Sequence, residues 1–234
     1  MISRLHLPRT ARLLDIGTGT GGMIPVLSAF GELTVFEPSS VALGFTRDAY
    51  QGSHPGVTYK TDALSTIDGQ FDVVTAFDVL EHCKDDLAAL VEWSALIKPG
   101  GRLLLTVPAF PSLWGRNDEL SHHYRRYTKQ TLTDVLTQRG FSIQKMSYTY
   151  LGAFVPVWLS RNIKEKMETR VAAARAAGPD GSIDASFDDI PWDFKQPPAI
   201  INSALQAACS WEKDWLQYGD LPFGTSIVAI ARKS

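Results

Sequence analysis

The chain has 234 residues, 44% of them apolar and 21% charged, with a formal net charge of −2. That length and balance fit one large α/β domain, or such a domain carrying an insertion, and exclude a globally disordered chain. The near-neutral charge argues against a general nucleic-acid binder, and Cys83 and Cys209 are too few for a disulfide framework and lack metal-ligand spacing.

At the N-terminus, Met1 to Thr10 holds His6, Pro8 and two arginines rather than an apolar core, so no secretory signal is expected. No run of about 18 uncharged apolar residues follows anywhere, so no membrane span is expected. A reducing, cytoplasmic, soluble protein is the expectation. Strands are predicted at Arg12–Ile16, Leu33–Phe36, Val57–Lys60, Phe71–Phe77, Arg102–Val107, Ser142–Tyr148 and Ser226–Ala231. Helices are predicted between them at Gly22–Phe30, Ser40–Tyr50, Asp85–Ile97 and Lys129–Arg139. This alternation is the signature of a parallel sheet covered on both faces. The helix from Asp85 opens with acids and meets a stop at Lys98-Pro99-Gly100-Gly101. Thr128 reads as the N-cap of the next helix, and Gly140 closes it.

Residues 150–224 break the rhythm, which divides the chain into a main domain (1–149 with 225–234) and a helical insertion (150–224). Two helix-like patches, Val155–Ala177 and Pro198–Tyr218, flank a loop over Gly178–Pro198 that is rich in Gly, Pro and Asp. Trp158, Trp192, Trp211 and Trp215 fall in the insertion, which argues against a disordered tail. It is either an auxiliary packing layer or a lid over a substrate. The apolar stretch Leu151–Leu159, followed by Arg161, Lys164 and Lys166, reads as a core-facing or dimer-facing helix, with a lipid-facing helix as the alternative.

The chemistry begins at Leu13-Leu14-Asp15-Ile16-Gly17-Thr18-Gly19-Thr20-Gly21-Gly22, answered by Leu33-Thr34-Val35-Phe36-Glu37. Glycines let the turn bend and let backbone N–H groups approach a ligand, and Glu37 stands where an acid can accept hydrogen bonds from ribose hydroxyls. Gly17-x-Gly19-x-x-Gly22 admits two readings: an NAD(P)-dependent oxidoreductase, or an enzyme of S-adenosyl-L-methionine. No Tyr-x-x-x-Lys pair of the kind one dehydrogenase class uses is present.

The ordered set of motifs resembles the class I S-adenosylmethionine-dependent methyltransferases, small-molecule branch. Asp15 to Gly21 looks like their glycine-rich first motif and Glu37-Pro38 like the acid ending the second strand. Thr61-Asp62-Ala63 is similar to the turn that meets adenine, Phe77-Asp78-Val79-Leu80-Glu81-His82 to the segment after the fourth strand, and Lys98 to Leu103 to the turn into the fifth. The resemblance covers about Ala11 to Tyr148 and returns at Phe223–Ala231. It implies a Rossmann-like, doubly wound, seven-stranded sheet with an antiparallel last strand.

The resemblance also implies roles. Gly17, Gly19 and Gly21 would approach the amino-acid part of the cofactor, and Asp15 would meet its ammonium, or else simply cap the turn. Glu37 would hold the ribose diol. Asp62 and Ala63 would meet adenine, flanked by Pro38 or Phe77. Asp78 would line the cofactor or the substrate. His82, His122 and His123 are the candidate bases, because imidazole titrates near neutral pH. The loop Trp114–Tyr127 adds Trp114, Tyr124, Arg125 and Arg126 as candidate substrate-binding residues, since arginine forks suit anions; pairing of either arginine with Asp118 or Glu119 is the structural alternative.

The expected reaction is methyl transfer to a small organic acceptor, most naturally at a hydroxyl or carboxylate oxygen, leaving S-adenosyl-L-homocysteine. Alternatives are methylation of a peptide carboxylate or amine, a cofactor-binding module without catalysis, and the oxidoreductase. An anionic acceptor fits the arginine-rich loop. No metal is expected, because His122 and His123 lack a third ligand at metal spacing. Many members of the family carry helices ahead of the first strand, whereas about ten residues precede it here. Cover for the site would then come from the insertion or from a second chain, as in a homodimer.

Overall fold

The computed structural model describes residues 5–159, 161 and 199–234. Its sheet has seven strands: β1 (Arg12–Ile16), β2 (Glu32–Phe36), β3 (Thr58–Lys60), β4 (Phe71–Phe77), β5 (Ile97–Pro108), β6 (Phe141–Thr149) and β7 (Ser226–Lys233). They lie in the order β3-β2-β1-β4-β5-β7-β6. The first five run parallel, and β7 is antiparallel to both β5 and β6. This is the Rossmann-like architecture expected, with its reversed last strand.

Successive side chains of a strand point to opposite faces, so the central strands must be apolar throughout to serve a sheet covered twice. On one face Leu14, Ile16, Val74, Leu103 and Leu105 pack with Leu90 and Trp93 of α3 (Asp86–Ala95) and with Leu132 and Leu136 of the helix Lys129–Gln138. On the other, Leu13, Val35, Val73 and Leu104 pack with Ile24, Leu27 and Leu43. The last comes from α2 (Ser40–Tyr50), capped by Ser39, whose hydroxyl accepts from the Ala42 N–H at 3.2 Å. Asp85 caps α3 in the same way, accepting from Ala88 at 2.9 Å. Thr128 caps Lys129–Gln138 as read, and Gly140 follows with φ +77°.

Several boundaries differ from expectation. The helix expected at Gly22–Phe30 is a four-residue α1 (Ile24–Leu27) running into a 3-10 turn over Ser28–Phe30. The Ser28 hydroxyl donates to the Ile24 carbonyl at 2.7 Å, beside the Ser28 N–H that bonds the same oxygen. The Lys-Pro-Gly-Gly stop is not a free loop. α3 ends at Ala95, β5 has begun by Ile97, and Lys98–Gly101 is an irregularity inside it, where pairing jumps from Phe71↔Ile97 to Val73↔Arg102. Lys98 Nζ holds both Asp72 carboxylate oxygens at 2.8 Å, which ties the bulge down. Between Trp114 and Tyr127 the chain forms a short α4 (Arg116–Leu120), and Lys129–Gln138 is therefore α5.

Of the insertion, α6 (Leu151–Leu159) and α7 (Ala199–Trp215) are described. Glu212 of α7 accepts from the N–H groups of Tyr150 and Leu151 at 2.6 and 2.9 Å, so one buried carboxylate caps the start of α6. The greater part of the patch Val155–Ala177, the loop Gly178–Pro198, Trp192, Lys164 and Lys166 lie outside the described residues.

Trp93 is 2% exposed whereas Val91, two residues earlier on the same helix, is 52% exposed. Trp93→Ala is expected to lower unfolding free energy by about 3–5 kcal/mol, and Val91→Ala to stay within about 0.5 kcal/mol, in urea titrations of each variant.

Candidate active site

Open parallel sheets bind ligands beyond the carboxyl ends of their strands, where the connections diverge. Here β1 and β4 are neighbours, their outgoing connections part company, and the glycine turn follows β1. Gly17 has φ +70°, and a Cβ there would stand 2.6 Å from Val79 Cγ2. The turn therefore lies directly against the segment that leaves β4. Gly19 has φ +54° and nothing within 4 Å of where a Cβ would project. Its backbone is bare on that side.

Glu37, at the end of β2, closes the other flank. One carboxylate oxygen accepts from the Gly19 N–H at 2.9 Å and the other from the Ser39 N–H at 3.1 Å. Asp15 sits beneath the turn, 2% exposed, and accepts from the Thr75 hydroxyl at 2.6 Å. Burial pushes its carboxyl up to about 6, against which the Thr75 hydrogen bond works. Pro38, Asp62 and Ala63 are exposed beyond β2 and β3, on the same side as Glu37, and Phe77 is half-buried at the end of β4.

A second group of polar side chains gathers past β4. Asp78 adopts φ +52°, with its N–H donating to the Thr106 hydroxyl at 3.0 Å. Solvent reaches Asp78, but surrounding protein crowds it and raises its carboxyl above the usual range, while His123 and His82 oppose that rise. The 3-10 turn Leu80–His82 then places Glu81 inward and His82 outward. Glu81 is 1% exposed, and neither carboxylate oxygen has a hydrogen-bond partner among the described residues. Burial, then the charge of Asp78, push Glu81 up to about 8. His82 meets His123 edge to face, ring centroids 4.7 Å apart, and its imidazole is pushed below the usual range by desolvation and by His123.

The loop after β5 supplies His123 and fixes it. Asp118, fully buried, takes His123 Nδ1 at 2.9 Å, Arg126 Nε at 2.8 Å and the Gly115 N–H at 2.9 Å, with Arg161 of the insertion at 3.6 Å. The Tyr124 N–H donates to the Glu81 carbonyl at 2.8 Å, which stitches this loop to the turn after β4. Arg125 pairs with Asp86 at 2.8 Å and also donates to the Cys83 and Lys84 carbonyls. Both arginines are thus engaged within the protein: Arg126 with Asp118, as the structural alternative had it, and Arg125 with Asp86, which it did not name. Trp114, Tyr124 and His122 are exposed, His122 with φ +56°.

The structure adds four polar groups that sequence reading had not assigned to the site: Thr75, Glu81, Thr106 and Asp118. Glu81 lay inside the motif Phe77–His82, and its burial alone sets it apart. No spacing in the chain could show that Glu81, His82 and His123 meet.

Residues 2–145 match a family model described as a methyltransferase domain. The chain belongs to the class I S-adenosylmethionine-dependent methyltransferases. Among curated relatives, it is 28% identical over 186 residues to malonyl-acyl-carrier-protein O-methyltransferase of Enterobacter lignolyticus, covering 76% of this chain and 72% of that protein. It is 31% identical over 109 residues to ubiquinone biosynthesis O-methyltransferase of Xanthomonas campestris, covering 44% of this chain and 45% of the relative, less than half its length. Phosphoethanolamine N-methyltransferase 2 of Haemonchus contortus, solved in complex with S-adenosylmethionine, shares the fold with a TM-score of 0.57 at 17% identity, over 99% of this chain and 51% of that one.

S-adenosylmethionine is therefore the cofactor of this methyltransferase, and the oxidoreductase reading is set aside. The residues present fit it: a bare backbone face at Gly19, a carboxylate at the end of β2, and a buried carboxyl under the turn. No described helix is long and apolar enough to cross a membrane.

Asp15 gives the site a measurable pH signature. Its carboxyl binds a proton more tightly folded than unfolded, so stability falls as pH rises from about 4 to about 6, by about 3 kcal/mol in total. Urea titrations of the cofactor-free protein across that range are expected to show the decline, and Asp15→Asn to remove most of it.

Proposed function

We propose that this methyltransferase moves the methyl group of S-adenosylmethionine to a hydroxyl oxygen of a small organic acceptor. The observation that carries the reading is the contact of the glycine turn with Val79, which seats a polar, acid-rich cluster immediately beside the cofactor turn. Glu37 would hold the ribose diol and Asp15 the ammonium, directly or through water. Asp62 and Ala63 would face adenine, flanked by Pro38 and Phe77. The bound cofactor supplies an electrophilic methyl on a sulfonium.

A hydroxyl fits better than a carboxylate for an electrostatic reason. Asp78, Glu81 and Asp118 crowd the acceptor side, and Arg125 and Arg126 are spent on Asp86 and Asp118. Among the described residues, an anionic acceptor would meet the exposed Asp78 there and no free guanidinium fork of Arg125 or Arg126. The curated relatives' names are consistent with oxygen as the acceptor atom. A hydroxyl must lose its proton as its oxygen takes the methyl, and His82 and His123 stand where that proton would go. Trp114 and Tyr124 are exposed on the same loop, available to a ring or chain of the acceptor.

The insertion is read as the cover over this side. Phe154 of α6 touches Phe110 and Phe223, Arg161 reaches Asp118, and the charge of Asp78 acts on Tyr150. Such a cover excludes water from the transfer and fixes the acceptor in line with the methyl.

The test combines binding and turnover. Calorimetry is expected to show S-adenosylmethionine binding that Glu37→Ala weakens about tenfold or more, the loss of charge-assisted hydrogen bonds. Mass spectrometry of mixtures with phenols, alcohols and matching carboxylic acids is expected to show methyl ethers. Methyl esters alone would overturn the hydroxyl assignment, and unchanged affinity in Glu37→Ala the ribose assignment.

A further inference from the structure

We propose that Glu81, His82 and His123 form a binding site for a divalent first-row transition cation on the acceptor side of the sheet. One ligand atom from each, a carboxylate oxygen and two imidazole nitrogens, lies within 4.8 Å of the others. The three arrive from opposite directions, two on the turn after β4 and one on the loop after β5.

Glu81 is the independent sign. A carboxylate buried to 1% exposure, with both oxygens lacking a hydrogen-bond partner among the described residues, is costly as an anion. Protonation removes the charge, but neither oxygen has a hydrogen-bond partner among the described residues to receive the proton. Both states leave an orphan, and a cation resolves it. Arg126 does not serve, because Asp118 and the Ala109 carbonyl hold it at 2.8 and 3.0 Å.

His123 is prepared as a ligand. Asp118 holds Nδ1 at 2.9 Å, so Nε2 is the nitrogen left to bind, and a carboxylate behind a ligating imidazole fixes its tautomer and orientation. Asp118 is itself anchored by Arg126 and by the Gly115 N–H, so the imidazole has little freedom. His82 is exposed, edge on to His123.

The donor set selects the ion. Two nitrogens and one carboxylate suit zinc, iron, manganese and their neighbours, whereas magnesium prefers an all-oxygen octahedron. Bonds of about 2.1 Å allow two ligands a separation of at most about 4.2 Å, so binding draws the group slightly inward from its present spread. The site's role in catalysis rests on the methyl-transfer reading, although binding itself does not. A cation there would leave positions open for the acceptor oxygen and favour its ionised form, the proton passing to solvent in place of His82 and His123, which would then serve as ligands.

The experiment is calorimetric titration of the chelator-stripped full chain with Zn2+, Mn2+ and Mg2+, with no S-adenosylmethionine present. One Zn2+ per chain is expected, with Mg2+ weaker by about tenfold or more. Glu81→Gln, which keeps the shape, and His82→Ala, at an exposed position, are each expected to weaken Zn2+ binding about tenfold or more, and Glu119→Gln not to. Circular dichroism checks that the variants are folded. Absence of saturable binding, equal affinity for Mg2+ and Zn2+, or wild-type affinity in either the Glu81→Gln or the His82→Ala variant would overturn the site. S-adenosylmethionine titrated in excess chelator tests the other reading separately: failure there leaves the cation result standing, and success there does not rescue a failed cation titration.

Discussion

The architecture of the site depends on a missing side chain. At Gly17 the chain turns with φ +70°, and its Cα lies so close to Val79 that a methyl group would collide with the valine. That contact sets the glycine turn against the exit of β4. The proposed chemistry depends on this adjacency, because the turn that would approach a methyl donor and the polar cluster that would receive an acceptor share one mouth of the sheet. A side chain at this position would have to separate the two, and its backbone conformation would be strained as well.

Around that contact, charge is disposed unevenly. Lys98, Arg125 and Arg126 each find a carboxylate, on Asp72, Asp86 and Asp118. Tyr127 adds a buried hydrogen bond to Asp86 at 2.9 Å. Arg125 and Tyr127, both on Asp86, fasten the loop after β5 to the head of α3, and the Tyr124 N–H on the Glu81 carbonyl fastens it to the turn after β4. Asp15 and Glu81 are treated otherwise: each is buried without a cationic side chain bonded to it among the described residues, and each is pushed up, to about 6 and about 8. Buried acids left unpaired in a ligand-binding cleft are where a protein holds electrostatic energy for a bound group to release. An ammonium at Asp15 and a cation at Glu81 would be complementary to this pattern.

The insertion joins the same network from above. Arg161 contributes to the ring around Asp118, and Glu212 caps the start of α6. A chain of aromatic contacts (Tyr148 stacked on Phe110, Phe110 edge-on to Phe154, Phe154 tilted against Phe223) runs from β6 through the β5 loop into α6 and the approach to β7. Apolar packing and a buried ion pair thus hold the described part of the insertion to the acceptor side.

The sequence by itself determined the sheet and the glycine turn after β1. Strands buried on both faces must be written as short apolar runs, and the glycines and acids of the turn are separated by fixed numbers of residues, so both could be read in a line. Tertiary pairing blurred one boundary instead: Lys98 binds Asp72 where the Pro-Gly-Gly stretch lies inside β5. Only the tertiary structure decided which loop residues are free and which are engaged. Arg125 meets an aspartate 39 positions earlier in the chain, and Glu81, His82 and His123 meet because β4 and β5 are neighbours in the sheet. Contacts of that kind depend on where strands end in space, and burial such as that of Glu81 belongs to the assembled fold rather than to any stretch of the chain.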